Sequence, residues 1–256
     1  MSAFFRKRLA GPRQVGALTA MLLLLLVSVA GATSITFSVS GTQSGLPVSA
    51  TATFVTSANT VTITLTNLQN NPKSVIQNLS DLIFVLSGGQ TSGTLTSSSA
   101  LARTVHSNGT FTDGGTVATG WELETFGSGL RLHVLSTLIG PAHTLIGGPD
   151  GSNVYSNANG SIAGNGPHNP FITGAASFNL AVPDISGTST ITSAVFSFGT
   201  TEGNNVTGTC LRDCTPPPPQ VVPEPSTWIM LMTGTLCLLG YGWSRRHVHQ
   251  DAATSI

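Results

Sequence analysis

Residues Val48 to Leu68 read VSATATFVTSANTVTITLTNL, and their alternation decides the fold. Successive side chains of a strand face opposite ways, so Val48, Ala50, Ala52 and Phe54 share one face and Ser49, Thr51 and Thr53 the other. Ser57-Ala58-Asn59 is a turn by composition. Beyond it Val61, Ile63 and Leu65 resume the apolar face, while Thr60, Thr62, Thr64 and Thr66 keep the wet one. This is a hairpin with one buried and one solvated side. Runs with the same β-branched and aromatic bias follow at 81–86, 130–135, 175–182 and 191–198, separated by Gly, Asn and Pro clusters. Between the chain's two ends no 3.6-residue period is sustained and no repeat of fixed length appears. Residues 33–209 therefore read as one all-β ectodomain, a two-sheet sandwich or jelly roll.

Only 8% of the 256 residues are charged, against about 25% in an ordinary soluble domain. The bases gather at the ends, Arg6, Lys7, Arg8 and Arg13 at one and Arg245 and Arg246 at the other. Between them lie Lys73, Arg103, Arg131 and Arg212 with twice as many acids, a net charge near −4. Phosphate binding needs a basic footprint, so nucleic acid is not an expected partner.

Both ends read as targeting segments. The N-terminal bases precede an apolar run, densest from Met21 to Val27, and then Ala30-Gly31-Ala32, with Ala30 and Ala32 at the positions a signal peptidase inspects. Residues 1–32 are thus a secretory signal peptide, cleaved after Ala32. At the other end Pro216 to Pro219 form an extended spacer, within a Cys/Pro-rich stretch at 210–222. From Ser226 to Ser244 no residue is charged, and these 19 residues reach about 28 Å as a helix, close to a bilayer's apolar thickness. Trp228 and Trp243 sit near the ends of that helix as interface anchors, and Arg245 and Arg246 mark the cytoplasmic side. Residues 247–256 would be a cytoplasmic tail.

The triplet Pro223-Glu224-Pro225, the short apolar helix and the closing basic pair, residues 223–246, resemble the PEP-CTERM sorting signal. The resemblance implies recognition of Pro223, Glu224 and Pro225 by an exosortase, a membrane-embedded, transpeptidase-like processing enzyme, with cutting near the triplet. A Pro-flanked triplet holds its backbone extended, in a form that such an enzyme can reach. It also implies passage through the inner membrane, then residence in the periplasm, at the outer surface or outside a Gram-negative cell that makes exopolysaccharide. The tail from His247 to Ile256 departs from the usual pattern, which ends soon after the basic cluster. The same module is also catalogued with ice-binding proteins; that describes an address and not a cargo.

For the ectodomain the expectation is a structural or adhesive role, with extracellular polysaccharide as a partner. No enzyme, cofactor or metal is expected: nucleophile elbow, phosphate loop, dinucleotide fingerprint and His-Glu-x-x-His are all missing. Glu122 and Glu124 read as solvated strand carboxylates, and a secreted hydrolase would need its acids to face each other across a cleft. His106, His133, His143 and His168 read as loop or surface histidines. Asp150, Asn153 and Asn157 lack calcium-loop spacing. Cys210 and Cys214 read as a local disulfide in an exported chain, and Cys237 as a packing residue of the apolar helix. A carbohydrate-binding module would need Trp121 or Tyr155 in an exposed stacking platform. The Thr rows come from one hairpin and are ordinary for the wet side of a sheet, with an ice-binding surface a lesser alternative. The long segment from Gly147 to Phe171 is the first place to look for a binding surface.

Overall fold

A computed structural model describes residues 32–135, 143–158, 160–212, 214 and 233–239. Strands β1 (Thr33–Gln43), β2 (Leu46–Ser57) and β3 (Thr60–Asn67) form a meander. The β1–β2 turn is Ser44-Gly45, both at positive φ (47° and 77°), the backbone that two-residue hairpin loops require. In the β2–β3 turn Asn59 takes φ 54°, a conformation Asn tolerates. A 3-10 turn at Val75–Gln77 leads into β4 (Leu79–Leu86). Two hairpins follow, β5 (Thr94–Val105) with β6 (Phe111–Val117), and β7 (Glu122–Phe126) with β8 (Gly129–His133). The two-residue β9 (Leu145–Ile146) precedes β10 (Phe171–Ala181), β11 (Ile191–Phe198), β12 (Asn205–Thr207) and β13 (Thr209–Arg212).

The alternation read from Val48 onward is realised: Val48, Ala50, Ala52, Phe54, Val61, Ile63 and Leu65 are buried. All-β is what is found, but in one hydrogen-bonded mixed sheet where two separate sheets are expected. Its order is β12-β11-β4-β9-β10-β3-β2-β1-β13, with β5 and β6 joined through β10, and β8 and β7 through β4. The join is β9, which pairs in parallel with Ile172 and Thr173 of β10 and at Leu145 with Leu79 of β4. At the far ends, β12 and β13 are separated by Gly208 alone, so the chain itself links the sheet's two margins. A Cβ at Gly208 would lie 2.7 Å from the Phe196 ring and 3.0 Å from the Ala194 carbonyl, so only Gly makes that crossing.

The sheet folds over its own core. Phe54 on β2 meets Phe84 on β4 at 5.3 Å between ring centroids, and Trp121 meets Phe178 on β10 at 5.3 Å. Such buried aromatic pairs hold the two halves of the sheet face to face. A smaller cluster of Val105, Ile146, Tyr155, Ala158, Ile162 and Phe171 lies beside the main core.

The chain divides into two units, Met1–Thr215 and Pro216–Ile256. The thirteen strands of the described residues all belong to the first. Strand pairing continues to Arg212, three residues into the stretch read as spacer. In the second unit residues 233–239 are α-helical and exposed, Leu236, Leu238 and Leu239 by about 70% each. Among the described residues no helix is long and apolar enough to cross a membrane.

Candidate functional site

Three features of the β domain are candidate sites, and the first is its most charged interior. Arg131 sits on β8 between Leu130 and Leu132 and is only 7% exposed. Its Nε donates to Oδ2 of Asp81 at 2.5 Å, its Nη1 to Glu124 at 3.1 Å, and its Nη2 lies 3.4 Å from Glu202. The register that sets β8 between β4 and β7 brings these groups together: Asp81 and Glu122 both stand opposite His133, and Glu124 opposite Arg131. Burial pushes the Asp81 carboxyl above its usual range, and Arg131 pulls it only part of the way back. Oδ1 of Asp81 has no hydrogen-bond partner among the described residues. Glu124 is an exposed partner of this cluster. Among the described residues no group of three or more His, Cys, Asp or Glu could hold a metal ion.

The Gly147–Phe171 segment folds against the end of the β5–β6 hairpin. A Cβ on Gly147 would fall 1.9 Å from the Gln69 carbonyl, so Gly is required where the segment leaves β9. Tyr155 is buried, donating to the Gly147 carbonyl at 2.8 Å and accepting from Nη1 of Arg103 at 3.1 Å. Arg103 in turn grips Asp113 at 2.6 and 2.8 Å and lies 3.8 Å from the centre of the Phe111 ring. This pairing holds the Asp113 carboxyl below its usual range. The Asn169 side chain accepts from Val105 N–H and donates to the Val105 carbonyl, so it extends the ladder of β5. Asp150 caps a turn through Ser152 and Val154 N–H, and Asn157 donates to the Lys73 carbonyl. An open groove between Val105, His106, Gly164 and Asn169 remains at the surface.

Several sequence expectations are corrected here. His133 stands on β8 and is buried, and His143, in a loop as expected, is buried too: Nδ1–H of His133 donates to the Leu135 carbonyl at 2.7 Å, and Nδ1–H of His143 donates to the Pro170 carbonyl. Trp121 is buried like Tyr155, its indole N–H donating to the His143 carbonyl at 2.8 Å. Neither ring is available to stack on a sugar. Of the cluster around Arg131, Glu124 and His133 are singled out from the sequence, but the buried pair Arg131 and Asp81 at its centre is not. Its signal was an acid at the head of the apolar run DLIFVL and a base inside LRLH, since a charge within a buried strand demands a partner.

The third feature is the outer face of the sheet. Register places Thr36, Thr53, Thr64, Ser177 and Ser99 in one row across β1, β2, β3, β10 and β5. A neighbouring row runs Ser34, Val55, Thr62, Asn179 and Ser97. The hydroxyl surface is therefore wider than the hairpin in which the sequence shows it, because β10 and β5 carry Ser and Asn in phase with the threonines.

Cys210 and Cys214 are joined by a disulfide, with Cα atoms 6.0 Å apart, and both pack on the main core. Ala32 is exposed immediately before β1; Ala30 lies outside the described residues. Also outside them are Pro223, Glu224, Pro225, Trp228, Trp243, Arg245 and Arg246, most of the expected membrane helix and the tail. A β-rich domain precedes a proline-rich stretch and an apolar, Arg-terminated segment. More particularly, a family model described as the PEP-CTERM protein-sorting motif matches residues 221–246, ending at the same Arg246 as the sequence reading. The chain carries that signal, which implies export, membrane association and exosortase processing. No curated protein and no solved structure matches the chain.

Proposed function

We propose that the chain is a cell-surface protein that an exosortase releases or re-anchors, and that its β domain has a structural or adhesive role at an exopolysaccharide-rich surface. The sorting motif at 221–246 carries this reading. Pro223, Glu224 and Pro225 form the recognised triplet, and Trp228, Trp243, Arg245 and Arg246 hold the adjoining helix at the two membrane faces. The β domain itself is non-catalytic. Its buried charges are spent on ion pairs, Arg103 with Asp113 and Arg131 with Asp81, and such pairs serve the fold. A lectin-like module that stacks sugars on Trp121 or Tyr155 is disfavoured, because both rings are buried.

The test is to express the full chain in hosts with and without an exosortase, and to measure the mass of the mature form in each cell fraction. A mass ending near Glu224, in the surface or medium fraction and only with the enzyme present, is the expected result. An intact C-terminus in the membrane fraction of both hosts would overturn the processing step and leave the segment as a permanent anchor.

A further inference from the structure

The row Thr36, Thr53, Thr64, Ser177 and Ser99 joins five adjacent strands, and all five side chains are exposed or half-exposed. At the strand spacing of a sheet it spans about 19 Å. Parts of the face are already ordered. Thr36 and Thr53 share a hydrogen bond at 3.1 Å, Thr62 donates to Asn179 at 3.0 Å, and Asn179 donates to Ser97 at 2.9 Å. No Lys, Arg, Asp or Glu occurs in β1, β2, β3 or β10, and the one charged residue of β5, Arg103, is buried and paired with Asp113, so the face offers little to a phosphate, a carboxylate or a basic partner. It carries no aromatic ring, and the one strongly exposed large apolar side chain on its strands is Leu101 of β5, so neither stacking nor a hydrophobic docking patch is provided.

A hydroxyl is at once donor and acceptor, and its natural counterpart is another array of hydroxyls. We infer that this face is the docking surface for an extended neutral polysaccharide, an inference that rests on the adhesive reading above and assigns it a place. Single neutral hydrogen bonds made in competition with water are weak. A polymer engages many at once, and the row's regular spacing rewards a chain with a regular repeat. Mono- and disaccharides should accordingly bind too weakly to register.

The experiment is affinity electrophoresis of the full-length protein in mild detergent, through gels holding hydroxyethylcellulose, dextran or alginate. The wild type is expected to be retarded by a neutral polymer, independently of salt. The double variant Thr53→Val/Thr64→Val keeps side-chain volume and strand propensity, and should bind about tenfold more weakly while melting at an unchanged temperature. Ser177→Ala/Ser99→Ala removes hydroxyls from the same row without touching the hairpin, and should weaken binding in the same direction. Thr207→Val, on β12 and away from the face, should bind like the wild type. Retardation of both double variants equal to the wild type would overturn the face while leaving polysaccharide adhesion standing. If no polymer retards the wild type, the adhesive role falls as well. Retardation by alginate alone, abolished by salt, would overturn the inference, as would depression of the freezing point with no retardation in any gel.

Discussion

Arg131 shows what a single residue is asked to do in this fold. Its strand neighbours Leu130 and Leu132 are buried, and β8 is an inner strand between β4 and β7, so its stem has no route to water. The buried charge of the guanidinium is met by Asp81 from β4, Glu124 from β7 and Glu202 from the turn after β11. Three elements are thus tied at one point. A lysine would offer a point charge where the site uses a fork of donors. Replacing Arg131 by Met keeps the stem's bulk and strands the Asp81 carboxylate in the interior, where its Oδ1 has no hydrogen-bond partner among the described residues. Removing one member of a buried pair destabilises by about 3–5 kcal/mol, and urea unfolding of R131M against the wild type should show a loss of that size. Adding Asp81→Leu should recover much of it, because the stranded charge goes too; a double variant no more stable than R131M would refute this account of the cluster.

Elements were legible in the sequence wherever alternation was undiluted. β2 and β3 place Val, Ile, Leu and Phe against Thr without a break, and both strands fall where the pattern puts them. β5 reads TLTSSSALARTV, whose small residues favour no face, and β6 contains Gly114-Gly115, so β5 takes its form from β10, and β6 from β5, and not from propensity. β9 has two residues, and no pattern of that length is readable; yet it is what makes one sheet out of two halves. β13 was hidden for another reason, since its Cys and neighbouring prolines suggest a spacer. It survives because Phe37 and Ser38 of β1 offer an edge to Cys210 and Thr209, and because the disulfide pins the strand's exit onto the core. A loop this short constrains the unfolded chain only modestly. Cys210→Ser/Cys214→Ser should therefore cost about 2 kcal/mol, with faster amide exchange confined to β13 and its partners on β1. Faster exchange spread across β2 and β3 would show the clip to be a global support instead.

At the scale of the whole molecule the question is where the folded cargo stops and its address begins. Sequence composition sets that line after Thr209, at the first cysteine. Strand pairing sets it later, because β13 runs to Arg212 and Cys214 still packs against the core. The difference matters physically. With β13 in place both margins of the sheet are linked through Gly208; without it β1 becomes an open edge, and a row of backbone donors and acceptors loses its partners. A chain ended after Thr215 should therefore be exported, leave the membrane fraction and melt at the temperature of the full-length protein. One ended after Gly208 loses the strand and the disulfide together. For a domain of this size their combined contribution, on the order of 3 kcal/mol, corresponds to a melting point lower by about 10 °C. Thermal unfolding of the two truncated forms beside the intact protein measures this directly. Equal melting points for the two would mean that β13 is an ornament of the sheet and the cargo ends where composition puts it. A drop confined to the shorter form would mean that the last strand and its disulfide belong to the cargo, leaving the chain from Pro216 onward as the part an exosortase is free to handle.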